Sequence, residues 1–150
     1  AAASKHRDAW KTELNDWGDM TEQMRRTIRR FRDLPVHLAI SALADRDTDE
    51  EGAILVRPAL TPAVLRDFMG YMDLVLHCRT ELVGDVEEYS AQAKPFGRFY
   101  AKDSYGVMPR VLVQPTFDRV LGYVNGDLTS QNDKVQIAAK KAREQAAQAA

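Results

Sequence analysis

Arg25, Arg26, Arg29, Arg30 and Arg32 crowd one short stretch of this sequence. Guanidinium groups at that density suit phosphate, either on DNA or on a nucleotide held by a neighbouring subunit. A solvated helix face is the plainer reading, with Glu22 and Arg26 paired at i,i+4 and Asp33 reaching Arg29. Five cations against two acids leave an excess, so the cluster stands as the candidate DNA-binding face. Asp8 and Glu13 are the acids that could help hold Mg²⁺ or orient a water. No apolar strand precedes Asp8, which favours plain surface charge. Ser41 lies within an apolar run, either as a small core residue or as a polar sensor of a γ-phosphate at a strand end. Lys102, Asp103 and Arg110 bracket a Gly-Pro turn. A cation on such a loop is where one subunit could reach a neighbour's nucleotide site; surface charge on a hairpin is the alternative.

Other chemistries lack their motifs. His6, His37 and His77 are far apart, and no His/Cys/Asp/Glu spacing resembles a metal site. There is no G-x-S-x-G elbow. The phosphate-binding loop G-x-x-x-x-G-K-[ST] is also missing from these 150 residues. Without its backbone N–H groups and lysine, the chain alone is expected not to bind ATP.

The elements that must position these residues follow from pattern. A helix starts at Asp19, which has capping-box spacing to Glu22, and shows Met20, Met24, Ile28 and Phe31 on one face. Pro35 stops it. Val36 to Leu43 is apolar on both faces, the look of a central parallel strand. Asp45 to Gly52 reads as a solvated acidic loop. A second strand covers Ile54 to Val56, and Thr61 and Pro62 open a short helix that buries Val64, Leu65, Phe68 and Met69. A third strand spans Asp73 to Cys78. Helices alternating with apolar strands predict a mostly parallel sheet, with ligands beyond the C-terminal strand ends.

After Glu81 the pattern changes. Glu87 to Ala93 and Phe96 to Lys102 predict a hairpin through Lys94-Pro95. Ser104-Tyr105-Gly106 is a turn, and Pro109 and Pro115 flank the apolar run Val111 to Val113. A helix near Thr116 to Val124 ends at Asn125-Gly126-Asp127. The expected fold is therefore α/β: a partly parallel sheet flanked by helices, with a C-terminal antiparallel hairpin. Its parts are an ambiguous segment at 1–18, a core at 19–128, and an Ala/Lys/Gln-rich tail at 129–150. The tail is expected as an exposed or frayed helix.

Composition bounds the partners. A hydrophobic content of 45% supports a core, and a net charge of −1 means that any nucleic-acid contact must come from a local patch. Cys78 is the only cysteine, which rules out an intrachain disulfide; in its apolar strand it is expected to be a buried small hydrophobe. No apolar run approaches the ~20 residues of a membrane span. No signal peptide is visible, so the cytoplasm is the expected location.

Several runs together suggest a family: Thr12 to Trp17, the arginine-rich helix, Leu34 to Leu43, Arg57-Pro58-Ala59-Leu60-Thr61, Tyr71 to Leu76, and Ala101 to Pro109. Their order resembles the C-terminal half of phage RecA-like ATPases, the AAA-type proteins of phage recombination and single-strand annealing systems. The resemblance covers roughly residues 8 to 126. It implies a RecA-type core, ATP and Mg²⁺, ring or filament assembly as a homo-oligomer, and single-stranded DNA as partner. It puts Asp8 near the family's magnesium-site Asp, Ser41 on its sensor strand and Lys102 at its intersubunit cation. The P-loop half is absent, and Ala1 to Arg7 stands where an apolar strand would precede the Asp. The match around Asp8 also needs an extra residue. The leading expectation is the C-terminal part of such an ATPase, acting on single-stranded DNA in recombination or repair. The alternatives are a non-catalytic binding or assembly module on a degenerate RecA-like scaffold, and a DNA-processing nuclease domain.

Overall fold

The computed structural model describes residues 14–48, 51–83 and 86–149. They divide into two compact units, residues up to 42 with 60–71, and residues 43–59 with 72 onward.

The first unit is a helix pair. Helix α1 spans Leu14–Arg32, so it starts before the expected Asp19 and runs through Gly18. Asp16 in its first turn and Arg29, Arg30 and Arg32 in its last complement the helix dipole, which helps it tolerate the glycine. Helix α2 spans Pro62–Tyr71 and opens as expected, with the Leu65 N–H donating to the Thr61 carbonyl at 2.8 Å. Ile28 of α1 and Val64, Leu65 and Met69 of α2 are buried.

The segment from Val36 to Leu43, expected as a central strand, forms no strand. Val36, Leu38, Ile40 and Leu43 are exposed. Apolar content alone does not make a strand; it needs a neighbour to complete its backbone hydrogen bonds. The strand forms one step later, in the run expected to be an acidic loop.

In the second unit, β1 (Ala44–Thr48) and β2 (Ile54–Pro58) pair antiparallel, in a register from Ala44↔Pro58 to Thr48↔Ile54. Gly52 takes φ 83° in the connection, a conformation that disfavours side chains. Such local pairing closes a short loop and costs little chain entropy. Asp47 is ion-paired to Arg57 of the facing strand.

The expected third strand divides into β3 (Leu74–Val75) and the first residues of β4 (His77–Val83). Strand β3 pairs with β6 (Lys102–Asp103), and β4 pairs with β5 (Val86–Gln92). On its other edge β5 pairs with β7 (Val111–Val113). The expected hairpin between 87–93 and 96–102 is thus replaced, since the partners of β5 are β4 and β7.

The fold class is corrected accordingly. Among the described residues there are four helices and three small sheets, every one antiparallel, and no parallel sheet. The crossover through α2 that would have made strands parallel joins β2 to β3, which belong to different sheets. Cys78 is exposed, against expectation, because β4 covers only one face and Cys78, Thr80 and Leu82 alternate outward.

The core of this unit gathers Ala93, Met108, Leu112 and Tyr123, with Leu74, Leu76, Val120 and Leu128 packed against it. Helix α3 (Phe117–Asn125) is capped as its sequence suggests. The Thr116 hydroxyl accepts from the Arg119 N–H, and Gly126 at φ 83° donates to the Tyr123 carbonyl. Helix α4 (Lys134–Ala149) carries mostly exposed side chains. Its start is held: Asp133 accepts from the Val135 and Gln136 N–H groups, and the Gln136 amide bonds the Val113 N–H and the Val111 carbonyl of β7. No helix of the described residues is long and apolar enough to cross a membrane.

Candidate nucleic-acid interface

The nine residues Lys94-Pro95-Phe96-Gly97-Arg98-Phe99-Tyr100-Ala101-Lys102 carry three cations, three aromatic rings and no acid. They leave the end of β5, where the buried Gln92 fixes their path. Its Nε2 donates to the Lys94 carbonyl at 2.9 Å and to the Phe96 carbonyl at 3.0 Å. A buried amide that satisfies two loop carbonyls is costly to move. Gly97 turns the chain at φ 58°, and Phe96 and Phe99 bridge across the turn. The far side is tied to β2. The Val56 N–H donates to the Arg98 carbonyl at 2.7 Å, and the Tyr100 N–H donates to the Val56 carbonyl at 2.9 Å.

This anchoring sorts the rings. Phe99 faces inward and stacks on His77, with centroids 4.3 Å apart and planes 23° apart. The guanidinium groups of Arg79 and Arg98 each lie 5.4 Å from its centroid. Burial, and then the nearby Arg79 charge, lower the His77 pKa, so the ring is held neutral in this stack. Phe96 and Tyr100 face solvent, 60% and 44% exposed. The Arg110 guanidinium sits 5.0 Å from the Phe96 centroid. Its backbone carbonyl takes the Ala93 N–H at 3.0 Å, which anchors it to the same loop. Exposed π faces beside fixed guanidinium groups can stack a base and neutralise the adjoining phosphate.

The candidates raised from sequence are distributed differently. Arg25 donates to Asp67 at 2.5 Å, and Arg26 to Glu22 at 3.0 Å as expected. The Arg29 side chain does not pair with the Asp33 carboxylate; it donates to the Tyr71 hydroxyl at 3.1 Å. Arg32 pairs with Asp33 and lies 4.9 Å from the Tyr71 centroid. Arg30 has no partner among the described residues. Most of this charge is therefore already engaged within the helix pair. Ser41 is exposed on the irregular segment after α1, not on a strand. The Lys102 ammonium donates to the Met72 carbonyl at 2.8 Å. Asp103 caps the following turn, accepting from the N–H groups of Tyr105, Gly106 and Met108. Of the set, Lys102 ends the aromatic loop with its ammonium turned to Met72, and Arg110 alone lies against one of the loop's rings. Asp8 and Glu13 lie outside the described residues.

Phe96, Arg98, Tyr100 and Lys94 were not singled out from sequence, where Lys94 reads as part of a hairpin connection and the others as one of its arms. The available signal was the interleaving of cations and rings without an acid. Compared with family models, curated proteins and solved structures, the chain has no match.

Proposed function

We propose that this chain is a single-stranded nucleic-acid-binding module. The observation that carries the reading is Phe96, exposed on an anchored turn with Arg110 over its ring, while Arg98 lies over the ring of Phe99 in the same turn. Single strands fit because their bases are free to stack on a side chain, whereas duplex bases already stack on each other. The patch is local and positive in a chain of net charge −1. The resemblance to phage RecA-like recombination ATPases supports the same partner, single-stranded DNA. On that reading the chain is the DNA-contacting part of such an ATPase, assembled as a homo-oligomer. The proposal takes the partner of that family and not its parallel sheet. It assigns no hydrolysis of ATP to these residues, which contain no phosphate-binding loop.

Fluorescence anisotropy with a ~20-nucleotide oligothymidylate, from ~50 to ~200 mM salt, tests it. Phe96→Ala is expected to weaken binding ~5- to 150-fold, the worth of one stacked base at ~1–3 kcal/mol. Replacing Arg98 and Arg110 together by Gln is expected to flatten the slope of log affinity against log salt by ~1.4, for two phosphates on a single strand. A wild-type chain that does not bind the oligonucleotide at low salt, or a Phe96→Ala variant that binds as wild type, overturns the reading.

A further inference from the structure

We infer that Glu81 gates the charge offered at the aromatic loop, and that Arg143 of α4 is the positioning residue that holds Glu81. The inference rests on the nucleic-acid reading above and extends it to residues outside the loop.

His77, Arg79 and Glu81 alternate along one half-buried face of β4. That face carries the stack under the loop, because His77 and Arg79 both lie against Phe99. Glu81 Oε1 is 2.7 Å from Arg79 Nε. This is a charge contact without a directed hydrogen bond, for Arg79 Nε is buried and unbonded. Glu81 also has a second cation, Arg143, at 3.4 Å. Directly opposite Glu81 in the β4–β5 register stands Glu88, a like-charged pair that disfavours the hairpin on its own. Arg143 reaches across from α4 to both carboxylates and also pairs with Glu88. One acid is thus divided between two arginines, one under the aromatic loop and one on the last helix.

The division sets how much positive charge Arg79 presents. While Arg143 holds Glu81, part of the Arg79 charge is left for phosphate. With Arg143 gone, Glu81 belongs to Arg79 alone and Glu88 is uncompensated, so the loop's surroundings become more negative. With Glu81 neutral, Arg79 counts as a further full cation whatever α4 does.

The test is oligothymidylate binding by the full chain and its Arg143→Ala, Arg143→Lys, Glu81→Gln and Arg143→Ala/Glu81→Gln variants, with urea unfolding midpoints alongside. Arg143→Ala is expected to bind ~3- to 5-fold more weakly, the range of a partly exposed ion pair. Glu81→Gln is expected to bind more tightly, with a salt slope steeper by ~0.7, one phosphate on a single strand. The double variant is expected to bind more tightly than Arg143→Ala and to keep the steeper slope of Glu81→Gln, with Glu88 left uncompensated holding it below that single variant, and Arg143→Lys to keep the wild-type slope. A merely structural role for Arg143 predicts the opposite: the double variant stays as weak as Arg143→Ala, in step with a lowered unfolding midpoint. That result, or an unmoved slope in Glu81→Gln, overturns the inference while the nucleic-acid reading stands. Failure of the wild-type chain to bind overturns both.

Discussion

The Tyr123 hydroxyl, on a side chain only 1% exposed, donates to the Asp133 carboxylate at 2.9 Å and so ties the last turn of α3 to the residue that caps α4. Arg119 completes the cluster. Its guanidinium pairs with Asp133 and also donates to the carbonyls of Val113 and Gln114. Every element at this end of the second unit meets in the cluster: β7, α3 and the start of α4.

Removing the acid is expected to be expensive. Asp133→Ala leaves the poorly exposed Arg119 cation and the buried Tyr123 hydroxyl without their partner, at about 3–5 kcal/mol. Tyr123→Phe removes one hydrogen bond and should cost about 1 kcal/mol. Urea unfolding at neutral pH separates the two; equal costs would show that the ion pair contributes little.

The same cluster predicts how stability depends on pH at both ends of the scale. Burial and the hydrogen bond to Asp133 push the Tyr123 pKa up to about 12. A raised pKa favours the protonated folded form, so its stabilising share is complete below the ordinary tyrosine range near 10 and is lost between about 10 and 12. Asp133 is opposite in sign. Burial works to raise its pKa, but the bonds from Arg119, the Gln136 N–H and Tyr123 outweigh burial and lower it. Its share is therefore present above the ordinary aspartate range near 4 and is lost as the pH falls further. Tyr123→Phe should abolish the alkaline loss and keep the acid one. An unchanged alkaline limb in that variant would assign the loss to another group.

Gly122 offers a sign reversal. It lies inside α3, where alanine is normally worth ~1 kcal/mol over glycine. A Cβ there would stand 2.9 Å from Leu128 Cδ1 and 3.0 Å from its Cγ. Leu128 packs on the core, so the overlap costs ~1–3 kcal/mol. Gly122→Ala should thus destabilise wild type by about 1 kcal/mol, a few degrees in Tm. In a Leu128→Ala background the same change should stabilise. Thermal unfolding of the four proteins decides, and destabilisation in both backgrounds would refute the clash.

The arginines of α1 should divide by partner. Arg25→Gln and Asp67→Asn break one half-buried pair, so the double variant should lose less stability than the sum of the singles. Arg26→Gln breaks only an exposed i,i+4 pair and should cost under ~0.5 kcal/mol. Oligothymidylate affinity should move less in Arg26→Gln/Arg30→Gln than in Arg98→Gln/Arg110→Gln. A larger effect from the helix pair would return the binding face to α1.

What the sequence determined by itself is what short-range geometry decides. Thr116 and Gly126 bound α3, Thr61 and Pro62 open α2, and Glu22 pairs with Arg26, because each partner lies within four residues along the chain. Strand partners are not encoded at that range. The run Val36 to Leu43 has the composition of a central strand and forms none, while the acidic Ala44–Thr48 becomes one by pairing with Ile54–Pro58. The aromatic loop shows the same division. Its rings and cations are visible in order along the sequence. Which ring faces solvent was decided by Gln92 beneath the loop, Val56 from another sheet and Arg110 from beyond the next turn. Contacts between distant residues depend on how the whole unit closes, and only the tertiary structure supplies that.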